Sequence, residues 1–106
     1  MATDKDKSLV YEKISAYVEK LRAQDVKIWR LYLYGSFASG AYDNDSDIDL
    51  AIFLDCGELD GFAEDVQLMK LRRGIDLRIE PHAFARSDFD TTNPFIRTIL
   101  QGERIV

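Results

Sequence analysis

Two pairs of polar residues near the middle of the chain have the types and the spacing that bind phosphate and metal. Gly35 and Ser36 directly follow an apolar run, and after ten further residues Asp47 and Asp49 alternate with apolar residues. A glycine after a strand lets the backbone turn sharply and lets a phosphate approach closely. Two aspartates two positions apart on a strand share a face, with Cα atoms roughly 7 Å apart, and repel each other unless a cation lies between them. The pattern predicts a site for a nucleoside triphosphate and magnesium, which makes nucleotidyl transfer the first hypothesis.

A third carboxylate would complete a site for two metal ions. Asp76 is the best candidate, because the segment IDLRIE predicts a strand on which Asp76 points away from the core. Glu80 shares that face and is the alternative. Ile75, Leu77 and Ile79 would face the core from this strand. Solvated acids on the outer face of a half-buried strand would also explain Asp47 and Asp49. The combination with the Gly-Ser pair and a third acid favours the metal and nucleotide site.

Three other binding motifs fail on spacing. An EF-hand loop that started at Asp43 would need glycine and glutamate where the chain has Ile48 and Leu54. A P-loop needs Gly-Lys-Ser or Gly-Lys-Thr after its first glycine, whereas Gly35 is followed by Ser-Phe-Ala-Ser-Gly. A dinucleotide-binding fingerprint needs a third glycine that the stretch from Gly35 to Gly40 does not supply.

The elements that must position these residues alternate between helix and strand. Apolar residues at helical spacing predict helices over residues 6–24 and 62–73. The apolar face of the second has Phe62, Val66 and Met69, and that of the first has Val10, Ile14, Tyr17, Val18 and Leu21. Asn93-Pro94 predicts the start of a last helix and Gly102 its end. Dense β-formers predict strands over 27–34, 47–54 and 75–80, with Pro81 ending the third and a short helix after Gly35. This order predicts an α/β (α+β) fold, a small mixed β-sheet flanked by helices, in one domain over residues 1–106.

Composition limits the classes of partner. The formal net charge of −5 argues against direct binding of nucleic acid or of a membrane surface, since such proteins carry basic patches. Cys56 is the single cysteine and suits a reducing compartment. The sequence shows no apolar run of membrane-spanning length and no signal-peptide pattern, so we expect a cytoplasmic protein.

The stretch YGSFASGAYDNDSDIDLAIF, followed by GIDLRIEP, resembles the minimal nucleotidyltransferase family within the DNA polymerase β-like nucleotidyltransferase superfamily. The resemblance covers about residues 28–81. It implies the nucleotidyltransferase fold, with ATP as substrate and Mg²⁺ as cofactor. By this resemblance Gly35 and Ser36 would bind the nucleotide phosphates. Asp47, Asp49 and Asp76 would be the catalytic acids and the magnesium ligands.

The resemblance also implies a partner. Stand-alone members of this family are often paired with a HEPN-domain protein in a toxin–antitoxin module. This chain would then be the antitoxin and would transfer AMP from ATP to a hydroxyl, typically of a tyrosine, on the HEPN toxin. The family often has a basic residue where this chain has Ser39, so one phosphate contact is missing. The alternatives are an antitoxin that neutralises its partner by binding without catalysis, and a transferase acting on a small molecule.

Residues around the motif have more than one interpretation. Arg78 would pair with Asp76 or Glu80, or contact the triphosphate. His82, the only histidine, is expected in a surface loop beyond the acids, with a general base as the other interpretation. Phe37 or Tyr42 would either stack on adenine or pack the loop.

Overall fold

The computed structural model describes residues 4–43 and 45–106, with side chains from residue 7 onward. Within these residues, four helices and four strands alternate. In order they are α1 (Asp4–Ala23), β1 (Ile28–Tyr34), α2 (Ser36–Ser39), β2 (Ile48–Leu54), α3 (Phe62–Leu71), β3 (Ile79–Ala85), a 3-10 turn (Arg86–Asp88), α4 (Pro94–Leu100) and β4 (Glu103–Arg104). None of the helices in the described part of the chain is long and apolar enough to cross a bilayer.

The four strands form one mixed sheet in the order β3-β2-β1-β4. β1 is antiparallel to both β2 and β4, whereas β2 and β3 are parallel. The parallel pair is joined by α3, as a crossover connection requires. The predicted fold class, a small mixed sheet flanked by helices, is therefore confirmed.

Each face of the sheet is covered by a separate apolar layer. On the face that packs against α1, α2 and α3, buried residues include Ile14, Leu33, Leu50 and Leu68. The predicted apolar face of α1 is buried in this layer, at Val10, Ile14, Tyr17, Val18 and Leu21. On the opposite face, α4 covers an aromatic layer built around Tyr32, Phe53, Ile96 and Ile99. Strand alternation thus sends neighbouring residues of β1 and β2 into different layers.

The third strand is displaced from its predicted position. The alternating segment 75–78 forms turns, β3 begins at Ile79, and the strand continues through Pro81 to Ala85. Pro81 is tolerated because β3 is an edge strand and the outward-facing backbone positions need no ladder partner. Two positions further on, the outward N–H of Ala83 donates to the Asp65 carboxylate at 3.0 Å. The prediction that Pro81 ends the strand and that Asp76 lies on it is wrong.

The predicted apolar face of α3 is also partly wrong. Phe62 is 80% exposed, and the residue of α3 that enters the core is Leu68. Leu77, expected to face the core from the third strand, is 68% exposed in the turn before β3. Because the strand begins later than predicted, the alternation assigned to Ile75 and Leu77 has no sheet to define its two faces.

Candidate active site

Gly35 lies where the end of β1 meets the start of β2. Tyr34, the last residue of β1, lies opposite Asp49 in the antiparallel register. Gly35 follows with φ of +74°, a conformation that favours glycine. A Cβ added at Gly35 would collide with Oδ2 of Asp49 and lie 3.3 Å from its Cγ. The missing side chain of Gly35 is therefore what lets the Asp49 carboxylate lie against the turn.

The turn leads directly into α2, a helix of one turn. Ser36 is its first residue, where backbone N–H groups have no partner inside the helix. The Ser39 hydroxyl donates to the carbonyl oxygen of Ser36 at 3.2 Å and accepts from the Ala41 N–H at 3.4 Å. Ser39, at the position where the family often has a basic residue, thus closes the end of α2.

Asp49 and Glu80 are neighbours across the parallel pair of strands. The register places Asp49 of β2 beside Glu80 of β3, and residues paired in register share a face. Burial raises the pKa of the Asp49 carboxyl, and the negative charges of Asp47 and Glu80 raise it further, against the opposing effect of His82. Asp47 immediately precedes β2 and is exposed. The charges of Asp47 and Glu80 therefore both act on the half-buried Asp49 carboxyl.

Asp76 lies in a different environment. Its carboxylate accepts the backbone N–H of Arg78 at 2.9 Å and forms an ion pair with the Arg78 guanidinium at 2.8 Å. These hydrogen bonds lower the pKa of the Asp76 carboxyl, and the charge of Lys13 on α1 acts in the same direction. Asp76 therefore organises the turn that precedes β3, where Arg78 pairs with it.

The structure adds aromatic residues to the acids that the sequence singled out. The His82 ring lies on β3 two positions after Glu80, with its centroid 6.4 Å from that of Tyr34. Burial and the charge of Asp49 raise the pKa of Tyr34 to about 12. Phe95 at the start of α4 packs against Tyr34 at a centroid distance of 6.4 Å. The alternation of Glu80, His82 and Phe84 is visible in the sequence once the strand is allowed to continue past Pro81.

A cavity of about 310 Å³ opens beside the Gly-Ser turn. Gly35 and Ser39 line one side, and Thr98, Gln101 and Gly102 of the α4 end line the other. Sequence reasoning missed the α4 residues, because only the tertiary fold brings that end of α4 to the turn.

The two aromatic candidates for stacking on adenine pack against each other. The rings of Phe37 and Tyr42 are stacked with a centroid distance of 4.6 Å, and Phe37 is buried. Phe37 therefore packs the loop and has no free face for a nucleobase.

The donor set of this site suits a hard divalent cation. Asp47, Asp49 and Glu80 offer carboxylate oxygens, the ligands that Mg²⁺ prefers. Burial, with the neighbouring charges of Asp47 and Glu80, raises the pKa of Asp49. As they stand, no three His, Cys, Asp or Glu side chains among the described residues are grouped closely enough to hold a metal ion. Mg²⁺ commonly retains waters and binds through one or two carboxylates together with substrate phosphates, so the residues fit a cation that also contacts a nucleotide.

One known protein family matches this chain over most of its length. The sequence model of the family described as "Polymerase beta, Nucleotidyltransferase" matches residues 12–106, a range that contains all four strands and the Gly-Ser turn. Neither the curated proteins nor the solved structures give a significant match to the chain.

Proposed function

This chain belongs to the polymerase β nucleotidyltransferase family, and on that premise we propose that it transfers AMP from ATP to a hydroxyl of a partner protein with the help of Mg²⁺. Nucleotidyl transfer is the general reaction of the family, whose members use a nucleoside triphosphate and a divalent metal. The choice of ATP, of magnesium and of a protein acceptor is the proposal made here.

One observation supports the proposal most directly. The sheet register sets Asp49 beside Glu80, and Gly35 makes room for the Asp49 carboxylate next to the Gly-Ser turn. The turn that we propose for phosphates and two negative side chains therefore lie at the same end of the sheet, where β1 ends and β2 begins. Nucleotidyl transfer can use this combination when a divalent cation lies between the carboxylates and the phosphate oxygens, which would otherwise repel each other.

The proposed roles follow from these positions. Gly35 and Ser36 would position the β- and γ-phosphates through backbone N–H groups and the Ser36 hydroxyl. Asp47 and Asp49 would hold Mg²⁺, which when bound neutralises phosphate charge and polarises the α-phosphate. The acceptor oxygen would attack the α-phosphorus, and the bond to the bridging oxygen would break to release pyrophosphate. Glu80, as third acid, would accept the proton of the acceptor hydroxyl.

Geometry favours Glu80 over Asp76 for the third acid. Glu80 neighbours Asp49 in register, and its ion pair with Arg72 is long, at 3.5 Å. Asp76 is held by Arg78 at 2.8 Å and lies near Lys13. The closer ion pair of Asp76 makes it the weaker proton acceptor and the poorer metal ligand of the two.

The acceptor we propose is a HEPN-domain toxin, with this chain as its antitoxin. The support is the family resemblance of residues 28–81, combined with a net charge of −5 that disfavours nucleic acid as the acceptor. A tyrosine hydroxyl is the acceptor group that the resemblance implies.

A second candidate function is neutralisation of the same partner by binding alone. It is favoured by the absence of a three-residue metal cluster in the ranges that the structure describes, and by Ser39 in place of a basic residue. The two candidates predict different products when the protein meets its partner.

Labelled nucleotide separates the candidates. The protein is incubated with α-³²P-ATP, Mg²⁺ and the protein encoded by the neighbouring gene, and label on that protein is measured after denaturing electrophoresis. Covalent label supports transfer, whereas a tight unlabelled complex supports binding alone. If that neighbour shows no label and forms no complex, the proposed partner is wrong.

Two matched substitutions test the third acid in the same assay. We expect Glu80→Gln to reduce transfer by at least about 100-fold, because a catalytic acid or metal ligand is removed. We expect Asp76→Asn to retain transfer within about tenfold and to lower the free energy of unfolding by about 1–2 kcal/mol, because it weakens the turn held by Arg78. The opposite pattern would restore Asp76 as the third acid.

A further inference from the structure

An apolar groove lies along α3 and is separate from the candidate active site. We call it the α3 groove; Phe62, Val66 and Met69 of α3 and Leu77 of the following turn line it, and its volume is about 450 Å³. Phe62 is 80% exposed and Leu77 is 68% exposed. Two large apolar side chains exposed beside one groove are typical of a surface that contacts another protein.

The rim of the α3 groove is basic, although the whole chain carries a net charge of −5. Lys70, Arg72 and Arg73 line the groove together with a single acid, Asp65. The Lys20 ammonium adds a further positive charge at this end, since it donates to the carbonyl oxygen of Arg73 at 2.6 Å. The groove is therefore a local positive surface on an acidic protein.

We propose that the α3 groove docks an acidic amphipathic helix of the protein that receives the nucleotide. Phe62, Val66 and Met69 are spaced at i, i+4 and i+7, so they form an apolar ridge along one side of α3. A helix with a matching apolar stripe packs along such a ridge, and flanking Glu and Asp side chains would meet Lys70 and Arg73. The identity of the partner as acceptor rests on the proposed function, whereas the docking does not.

The basic rim also argues against a second copy of this chain in the groove. In a two-fold dimer the same surface meets itself, so Lys70 and Arg73 of each copy would face like charges. An acidic segment converts the same charges into attraction and speeds association.

Arg72 connects the α3 groove to the acids of the candidate site. Its Nη1 donates to the carbonyl oxygens of Leu77 at 3.1 Å and Ile79 at 2.8 Å, and lies 3.5 Å from Oε1 of Glu80. A partner seated in the groove would therefore lie one side chain away from Glu80. Docking at α3 would bring the acceptor to the edge of the site.

Synthetic helical peptides test the docking directly. The probe is a fluorescein-labelled peptide of about 18 residues with Leu at every third or fourth position and Glu elsewhere. The control peptide has Lys in place of Glu, and fluorescence anisotropy measures both affinities. We expect the acidic peptide to bind at least about tenfold more tightly than the basic one.

Variants of the protein complete the test. Phe62→Ser should weaken binding of the acidic peptide at least about tenfold. The double variant Lys70→Glu/Arg73→Glu should bind the basic peptide more tightly than the acidic one. Leu9 on α1 is 45% exposed, and Leu9→Ser should change neither the affinity nor the charge preference. Asp49→Asn should bind the peptide normally even where transfer is lost, which separates docking from catalysis. Equal affinity for both peptides, no binding, or a dimer dissociated by Phe62→Ser in sedimentation would overturn the proposal.

Discussion

Folding shifts the pKa values of two aspartates, Asp49 and Asp76, in opposite directions. Burial and the charges of Asp47 and Glu80 raise the pKa of Asp49, so the ionised carboxylate destabilises the folded state. The hydrogen bonds from Arg78 lower the pKa of Asp76, so its ionised form stabilises the fold. Proton linkage then gives each residue its own pH signature.

The substitution Asp49→Asn should raise the thermal midpoint at pH 7 while it reduces nucleotidyl transfer by at least about 100-fold. The Asp49 carboxyl keeps its proton to higher pH in the folded state than in the unfolded chain. Its ionisation therefore destabilises the fold increasingly as pH rises from the ordinary carboxyl pKa through the raised folded value, and this destabilisation persists at pH 7. Differential scanning calorimetry at pH 7 and below pH 4 measures the effect, which should shrink at the lower pH.

An exposed acid provides the control for Asp49. Asp60→Asn removes the same charge from an exposed position outside the site and should leave both the midpoint and the transfer rate unchanged. A lower midpoint for Asp49→Asn would show that the carboxylate is structurally satisfied and would argue against a site awaiting a cation.

For Asp76 we expect the opposite dependence of stability on pH. Its contribution to stability is present above the ordinary carboxyl pKa and is lost as pH falls through the lowered folded value. The stability difference between wild type and Asp76→Asn should therefore be largest at neutral pH and disappear in strong acid.

At the scale of elements, the contact between the end of α4 and β1 leaves no room for a side chain at Gly102. A Cβ there would collide with the carbonyl oxygen of Leu33 and lie 3.0 Å from Cα of Tyr34. Both neighbours are backbone atoms of β1, so relief requires the end of α4 and β4 to move away from the sheet.

We expect Gly102→Ala to lower the free energy of unfolding by about 1–3 kcal/mol, because overpacking against backbone is relieved only by displacement. Urea denaturation measures the change. Gly57→Ala is the matched control, since a Cβ at Gly57 meets nothing within 4 Å, and its effect should stay within about 0.5 kcal/mol. Equal stability of the two variants would contradict the close approach at Gly102.

The sequence predicted the elements well where periodicity and burial agree. α1, β1 and β2 lie where the patterns placed them, and all five residues of the predicted α1 face are buried. The third strand was misplaced because its alternation began in the turn held by Asp76, and because proline ends a strand only where its N–H is needed. Whether β3 is an edge strand depends on the order of strands, which local sequence does not encode.

The candidate site was predictable only in part, for the same reason. Gly35, Ser36, Asp47 and Asp49 are close in sequence, so their spacing was informative. Glu80 gains its place beside Asp49 from the register of a parallel pair, which is a tertiary property.

For the whole molecule, the two apolar layers are joined through the central strands. β1 sends Leu31 and Leu33 into the layer under α1 and Tyr32 into the aromatic layer under α4. Trp29, the single tryptophan, packs against Phe53 and Phe89 in the aromatic layer. We expect the layers to unfold together.

Ile14→Ala tests this cooperativity from the far side of the sheet. Ile14 is fully buried in α1, and its truncation should lower the free energy of unfolding by about 2–5 kcal/mol. Trp29 fluorescence and far-UV circular dichroism should report the same shifted midpoint. Leu9→Ala on the same helix, at a position 45% exposed, should shift it far less. If Ile14→Ala left the midpoint of the Trp29 fluorescence transition unchanged, the two layers would unfold separately.

The backbone of the β3 edge has a consequence for self-association. Pro81 has no N–H, the N–H of Ala83 is taken by Asp65, and that of Ala85 donates to Asp88 at 2.9 Å. A strand from another molecule would find no free donor at these three alternate positions, so it could not extend the hydrogen-bonded ladder there. At the opposite edge, β4 is only two residues long. Both edges of the sheet are thus poor templates for the strand addition that begins aggregation, which favours partners that bind through side chains.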